Sequence, residues 1–153
     1  MFAMPLAAQA ASYTYINQRA PYKNSGMLTA LNLPKVGTTF KVQVPNGGDT
    51  CTSWCWTGCT EVYYYLAIGV NNPNVPIPAL GGYLFSSADI VLLAPWGPKA
   101  QQGTVTMSFP IPNSQALLGV RFYQQVLRQV IEPSYFYYQT LSLSRGGYGV
   151  IGK

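Results

Sequence analysis

The chain has 153 residues, 48% hydrophobic and 14% aromatic, with nine Lys plus Arg, four Asp plus Glu and no histidine. One domain of this length buries roughly 68–70% of the surface its unfolded chain exposes, so a core forms without metals or many disulfides. The missing imidazole excludes Ser–His and Cys–His nucleophile systems within the chain and removes the usual ligand of zinc and haem sites, which argues against hydrolytic catalysis and against a bound cofactor.

Charged residues make up 8% of the chain, against about 25% in ordinary soluble domains. Twelve Tyr, fifteen Gly and twelve Pro, with many Thr, Ser, Gln and Asn, give a polar but uncharged coat instead. Such a coat is typical of extracellular β proteins and of surfaces that pack against copies of themselves. The formal charge is +5, yet the cations are dispersed without a run, whereas nucleic-acid binding shows a clustered basic footprint. No stretch approaches the ~20 apolar residues of a membrane-spanning helix, so no integral membrane segment is expected.

Residues 1–12 form an amino-terminal extension. MFAMPLAAQAA resembles the end of a secretory signal, because Ala8-Gln9-Ala10 has the small-x-small form of a cleavage site, although the charged n-region is missing. Read at period two, Phe2, Met4 and Leu6 share one face, as in a half-buried strand. Pro5 cannot donate to a ladder and suits an edge or an added strand. Three readings stay open: a signal remnant, a first strand packed on its own domain, and a donor strand that enters a groove on a neighbouring copy.

Residues 13–153 read as a single β domain. Residues 13–16, 27–33, 38–44, 61–70, 90–93, 103–109, 120–131 and 140–144 are rich in Val, Ile, Thr, Tyr and Phe and bounded by Gly, Pro and Asn. The pattern predicts an all-β fold, an immunoglobulin-like or jelly-roll-like antiparallel β-sandwich of about eight strands. Between the third and fourth runs, CTSWCWTGC carries Cys51, Cys55 and Cys59. Three sulfurs without a histidine or a fourth cysteine make a poor metal site. One disulfide within this loop is the better reading, with the third cysteine free, buried or paired to another subunit; Cys51 with Cys59 closes the loop most naturally, and connectivity stays open. Trp54 and Trp56 flank Cys55, with Tyr63, Tyr64 and Tyr65 close behind. These aromatics suit a protein–protein interface or stacking on sugar rings, and they equally suit the core and ordinary surface of a sandwich.

Farther along, NNPNVPIPAL (71–80) is expected to cover one end of the sandwich through Val75, Ile77 and Leu80. In 116–131, Leu118, Phe122, Val126 and Val130 recur every four residues, a helical spacing, but aromatic and β-branched content and the preceding Gly119 favour a strand. Gly146, Gly147 and Gly149 read as a turn or bulge. Asp49, Glu61, Asp89 and Glu132 fall in four separate segments and offer no evident carboxylate pair for glycoside chemistry.

The strings LTALNLPKVGTTFKVQV (28–44), YYYLAIGV (63–70), VTMSFPIPNSQALLGVRFYQQVL (105–127) and LSLSRGGYGVIG (141–152) resemble a domain of secreted, largely uncharacterised proteins of planctomycete and myxobacterial type. The shared order is an NLP-x-x-GTTF opening, a PIPN-x-x-AL-x-G-x-x-FY-x-Q block and an IG ending. The resemblance implies an extracellular β-sandwich without a transferable catalytic motif. Members often carry cysteines where Asn17-Gln18 and Ala94-Pro95 stand here, so that family disulfide is not carried over.

Together these readings predict a secreted, non-enzymatic structural subunit of an extracellular filament or surface assembly. It would be a homo-polymer that associates through Phe2, Met4 and Leu6 by strand addition, at an acceptor groove the sequence does not identify. The alternative is a carbohydrate-binding or adhesion module that uses Trp54 and Trp56.

Overall fold

A computed structural model describes residues 9–20, 26–49, 58–97, 103–132 and 138–153. The strands are β1 (Ser12–Ile16), β2 (Thr29–Ala30), β3 (Thr39–Pro45), β4 (Gly47–Asp49), β5 (Glu61–Gly69), β6 (Val75–Ile77), β7 (Gly82–Leu84), β8 (Ile90–Leu93), β9 (Trp96–Gly97), β10 (Thr104–Pro110), β11 (Arg121–Glu132) and β12 (Tyr138–Val150). Two short 3-10 turns, Pro78–Leu80 and Gln115–Leu117, are the only helical elements among the described residues. The fold is therefore all-β and sandwich-like, with more and shorter strands than the sequence pattern predicts.

The larger sheet runs β1-β12-β11-β5, and the far side of β5 pairs with β8 along one part and with β4 along another; β9 joins β4. The smaller sheet is β10-β3-β2, and β6 and β7 form a separate hairpin. Every strand pair is antiparallel except β4 with β9. Alternation explains the packing. Phe40, Val42 and Val44 in β3 are buried while Thr39 before them and Lys41 between them are exposed, so one face of the smaller sheet turns inward. It meets Leu66 of β5 and Val126 of β11, with Leu28 and Ala94 completing the core.

β11 is a strand, although its apolar residues recur every four positions. Four is a multiple of two, so the same residues share a strand face: Phe122 and Val126 point to the core, and Gln124 between them is also buried. Gly119 holds φ at +81°, a left-handed turn that starts the strand. The expected strand at 27–33 shrinks to Thr29–Ala30. Asn32 replaces ladder residues with its side chain, accepting from the Lys41 amide at 2.7 Å and donating to the Thr39 carbonyl at 2.8 Å. Residues 75–84 form the β6–β7 hairpin rather than a cap over the sandwich, and Val75 is exposed.

The largest departure from the sequence reading is at Gly146, Gly147 and Gly149. They form no turn; they sit inside β12, paired with β11 on one side and β1 on the other. The missing side chains make room for aromatic rings. A Cβ on Gly147 would collide with the Tyr13 ring, and one on Gly149 with the Phe122 ring. On the opposite face a Cβ on Gly146 would lie 2.8 Å from the Phe85 Cβ. Phe40 joins Tyr13 and Phe122 at centroid distances of 5.5 and 5.6 Å, so one aromatic cluster binds both sheets over this bare stretch.

Next to the glycines β12 is irregular. Gln125 pairs with Gly146 and Leu127 with Leu143, so Ser144 and Arg145 together oppose Val126 as a bulge. The Val126 amide, displaced from the ladder, donates to Ser144 Oγ at 2.9 Å. Two buried glutamines then tie β7 to the outer face of the larger sheet. Gln125 accepts from the Phe85 amide at 2.9 Å and donates to the Tyr83 and Ser144 carbonyls at 2.8 and 2.9 Å. Gln18 accepts from the Tyr83 amide and donates to the Ser144 carbonyl, each at 2.6 Å.

Gly147→Ala is expected to destabilise the fold by about 1–3 kcal/mol through overpacking against Tyr13, read as a drop of roughly 2–4 °C in Tm per kcal/mol. Gln125→Leu strands the Phe85 amide and removes one donor from each of two carbonyls. Its expected cost in denaturant unfolding is about 2–3 kcal/mol, whereas a Leu substitution at exposed Gln139 costs less than about 0.5 kcal/mol.

Candidate functional site

The two sides of the sandwich close differently. On the β1 side, Tyr13 and Tyr15 pack edge to face at 5.6 Å. The Tyr15 hydroxyl accepts from the Ala30 amide at 2.9 Å, which fastens β2 to the larger sheet. Arg145 lies over the Tyr15 ring at 3.7 Å and donates to the Leu28 carbonyl at 3.2 Å. Tyr13 donates to Gln124 Oε1 at 3.0 Å. Burial pushes the Tyr13 hydroxyl far above the ordinary tyrosine range, with Tyr15 adding and Arg145 opposing. A shallow depression of about 330 Å³ lies beside Tyr15, Asn32 and Leu33. The Asn32 amide is committed to β3, so this depression offers few polar groups for orienting a ligand.

The other side stays open. Among the described residues β8 pairs only with β5, and β10 only with β3, so each leaves one edge free. β10 directs Val105, Met107 and Phe109 inward, yet they are only half-buried, unlike their β3 partners Val44, Val42 and Phe40. In β8, Ile90, Val91 and Leu93 are 55%, 54% and 52% exposed. Between these edges lies an apolar groove of about 260 Å³ with Ile68, Ile90, Phe109 and Ile111 among its walls.

The groove rim is held by Asp89. Its carboxylate accepts from the Val70 amide at 2.9 Å and from the Ser87 hydroxyl at 2.8 Å, joining the end of β5 to the start of β8. The Val70 amide and then Ser87 hold the Asp89 carboxyl below the usual carboxylate range. Gly69 permits this approach, since a Cβ there would strike the Ser87 side chain and lie 2.8 Å from its amide nitrogen.

Phe2, Met4, Leu6, Cys51, Cys55, Trp54 and Trp56 lie outside the described residues. Cys59 is half-buried just before β5. Tyr64 packs on the core, whereas Tyr63 and Tyr65 point to the other face and donate to Glu61 and Gln129, each at 2.8 Å. The bond to Glu61 holds the Tyr63 hydroxyl above its ordinary range, with desolvation and the Glu61 charge adding. The dispersal of the acids needs correction: Asp49 stands directly opposite Glu61 across β4 and β5. Among the described residues no group of three or more Cys, Asp and Glu is placed to hold a metal ion, and no helix is long and apolar enough to cross a membrane.

The free edge of β8 leaves one signal in the sequence. Ile90-Val91-Leu92-Leu93 has no polar alternation, the pattern of a strand covered on both faces. In the structure that strand is an edge, with one apolar face half in water.

Asp89 is expected to titrate below the ordinary ~3.9 for Asp, and Ser87→Ala to move it upward. Because the folded-state value is depressed, the contribution of this carboxylate to stability is present above ~3.9 and is lost as pH falls through its lowered value. Carboxyl NMR titration of both proteins checks the position and the sign. No protein-family model, curated protein or solved structure matches this chain.

Proposed function

We propose that this protein is a secreted, non-enzymatic β-sandwich subunit that assembles with copies of itself into an extracellular filament or surface layer, by addition of the amino-terminal strand of one copy to another. The observation that carries this reading is β8. A strand with apolar residues on both faces and a free edge invites pairing with another chain, and natural monomers blunt such edges with charge, proline or a cover. Among the described residues β8, four residues long, carries no charge, proline or cover within it. Low charge supports the same reading, because it removes the repulsion that opposes dense stacking. A disulfide at Cys59 would fit an exported protein, since oxidising compartments favour that state. Pairing of Cys59 with Cys51 would close the loop between β4 and β5. The resemblance to secreted domains of planctomycete and myxobacterial type points the same way.

The full chain is expected to sediment as a polymer at micromolar concentration and to show fibres or sheets in negative stain. Val91→Lys, at an exposed position, is expected to leave the circular dichroism spectrum unchanged while shifting the material to monomer. A full chain that stays monomeric at high concentration and is retained on polysaccharide would refute assembly and favour the carbohydrate-binding alternative.

A further inference from the structure

The self-assembly reading leaves its acceptor site unplaced, and resting on that reading we infer that the groove between β8 and β10 is the site that receives the Phe2–Leu6 segment of a second copy, laid along the free edge of β8. Ile68 and Ile90 from the larger sheet line the groove with Phe109 of the smaller sheet and Ile111 just beyond it, together with Phe40 and Phe122. Of the polar residues that reach the groove, Gln124 turns its oxygen to Tyr13, and Arg121 is exposed. The site therefore selects an uncharged, apolar strand. Residues 2–8 contain no charged side chain, and Phe2, Met4 and Leu6 alternate at the period of a strand with one face to bury. Pro5 lacks an N–H, which suits a strand paired on one side only, with the Pro5 nitrogen turned away from β8.

Chain geometry decides whose segment fits. The described chain begins at Gln9, whose carbonyl accepts from the Lys153 amide at 3.0 Å. A Cβ on Gly119 would lie 4.0 Å from the Gln9 side chain, so Gln9 sits beside the residues that lead into β11. A strand added next to β8 would be the third beyond β11, across β5 and β8, and thus roughly 14 Å away at ~4.8 Å per strand. Leu6 is three residues from Gln9 and reaches at most about 10–11 Å. A chain can bring its own segment to the near end of the groove, where Val120 and Ile151 form the wall close to Gln9, but by this reach it cannot lay Leu6 along the far edge of β8. A neighbouring copy has no such restriction. Repeated from copy to copy, a heterologous contact of this kind builds an open chain.

The test mixes full-length chain carrying p-benzoylphenylalanine in place of Phe2 with unmodified full-length chain labelled with ¹⁵N, followed by irradiation and mass spectrometry. The expected cross-links join position 2 to peptides containing Ile68, Ile90 or Phe109 of the ¹⁵N copy. Val70→Lys with Ile90→Lys in the labelled copy, both at exposed positions, should lower their yield by about ten-fold or more. Cross-links confined to one chain would overturn the inference, as would links to a ¹⁵N copy outside the groove, or a yield unmoved by the rim charges. If polymer forms while the cross-links fall elsewhere, the acceptor assignment fails and assembly stands. If no polymer forms, both fail.

Discussion

The architecture depends on a stretch of backbone that carries almost no side chains. Gly146, Gly147 and Gly149 lie in β12, next to the center of the larger sheet, where a strand normally supplies packing surface. Glycine there weakens a strand, through chain entropy and lost contacts. The deficit is offset by neighbours: Tyr13 from β1 and Phe122 from β11 lie over Gly147 and Gly149, and Phe85 lies over Gly146 on the other face. Because Phe40 reaches the same cluster from the smaller sheet, filling the glycine gap and joining the two sheets are one interaction. A methyl group at any of these positions would push on a ring that also contacts other elements.

The same strand organises the polar interior. The bulge at Ser144 and Arg145 removes the Val126 amide from the ladder, and Ser144 Oγ restores its partner. It also leaves the Ser144 carbonyl turned toward Gln18 and Gln125, which bond simultaneously to β7. On the core side the bulge aims Arg145 at Tyr15 and the Leu28 carbonyl. One irregularity therefore anchors the hairpin on one face and the edge of the smaller sheet on the other. Both anchors act on the β1 half of the molecule. Among the described residues the β8 half has no equivalent, and its side stays open.

Much of this fold is legible because runs of β-branched and aromatic residues are bounded by Gly, Pro and Asn. β3, β5, β8, β10 and β11 fall within a residue or two of their sequence-based limits. The failures have specific causes. Gly146-Gly147-Tyr148-Gly149 looks like a turn or bulge, and the bulge lies just before it at Ser144 and Arg145, because local preference knows nothing of rings arriving from residues 13 and 122. Met27–Leu33 looks like a full strand because a propensity scale cannot see Asn32 using its amide as backbone. Asp49 and Glu61 look unrelated because strand register is invisible in composition. The groove is hardest to foresee, since it consists of core-type residues whose lack of cover is a property of sheet edges.

Burial arithmetic limits how the open side can work. Covering one fully exposed Ile, Leu or Val contributes about 1.5–3 kcal/mol, and Ile90, Val91, Leu93 and Val70 begin roughly half-exposed, so together they supply about 3–6 kcal/mol from each copy. Association of two free bodies costs an estimated 4–15 kcal/mol before any surplus appears. Contact of two β8 edges through these side chains alone would supply about 6–12 kcal/mol, inside that range of cost, and leave little surplus. A strand laid in the groove adds backbone hydrogen bonds along β8 and buries its own apolar face as well as the walls formed by Phe109 and Ile111, which moves the balance toward a lasting contact. The geometry thus favours an inserted segment over simple edge-to-edge adhesion, and makes the chemistry of that segment, apolar on one face and uncharged throughout, the feature on which specificity would turn.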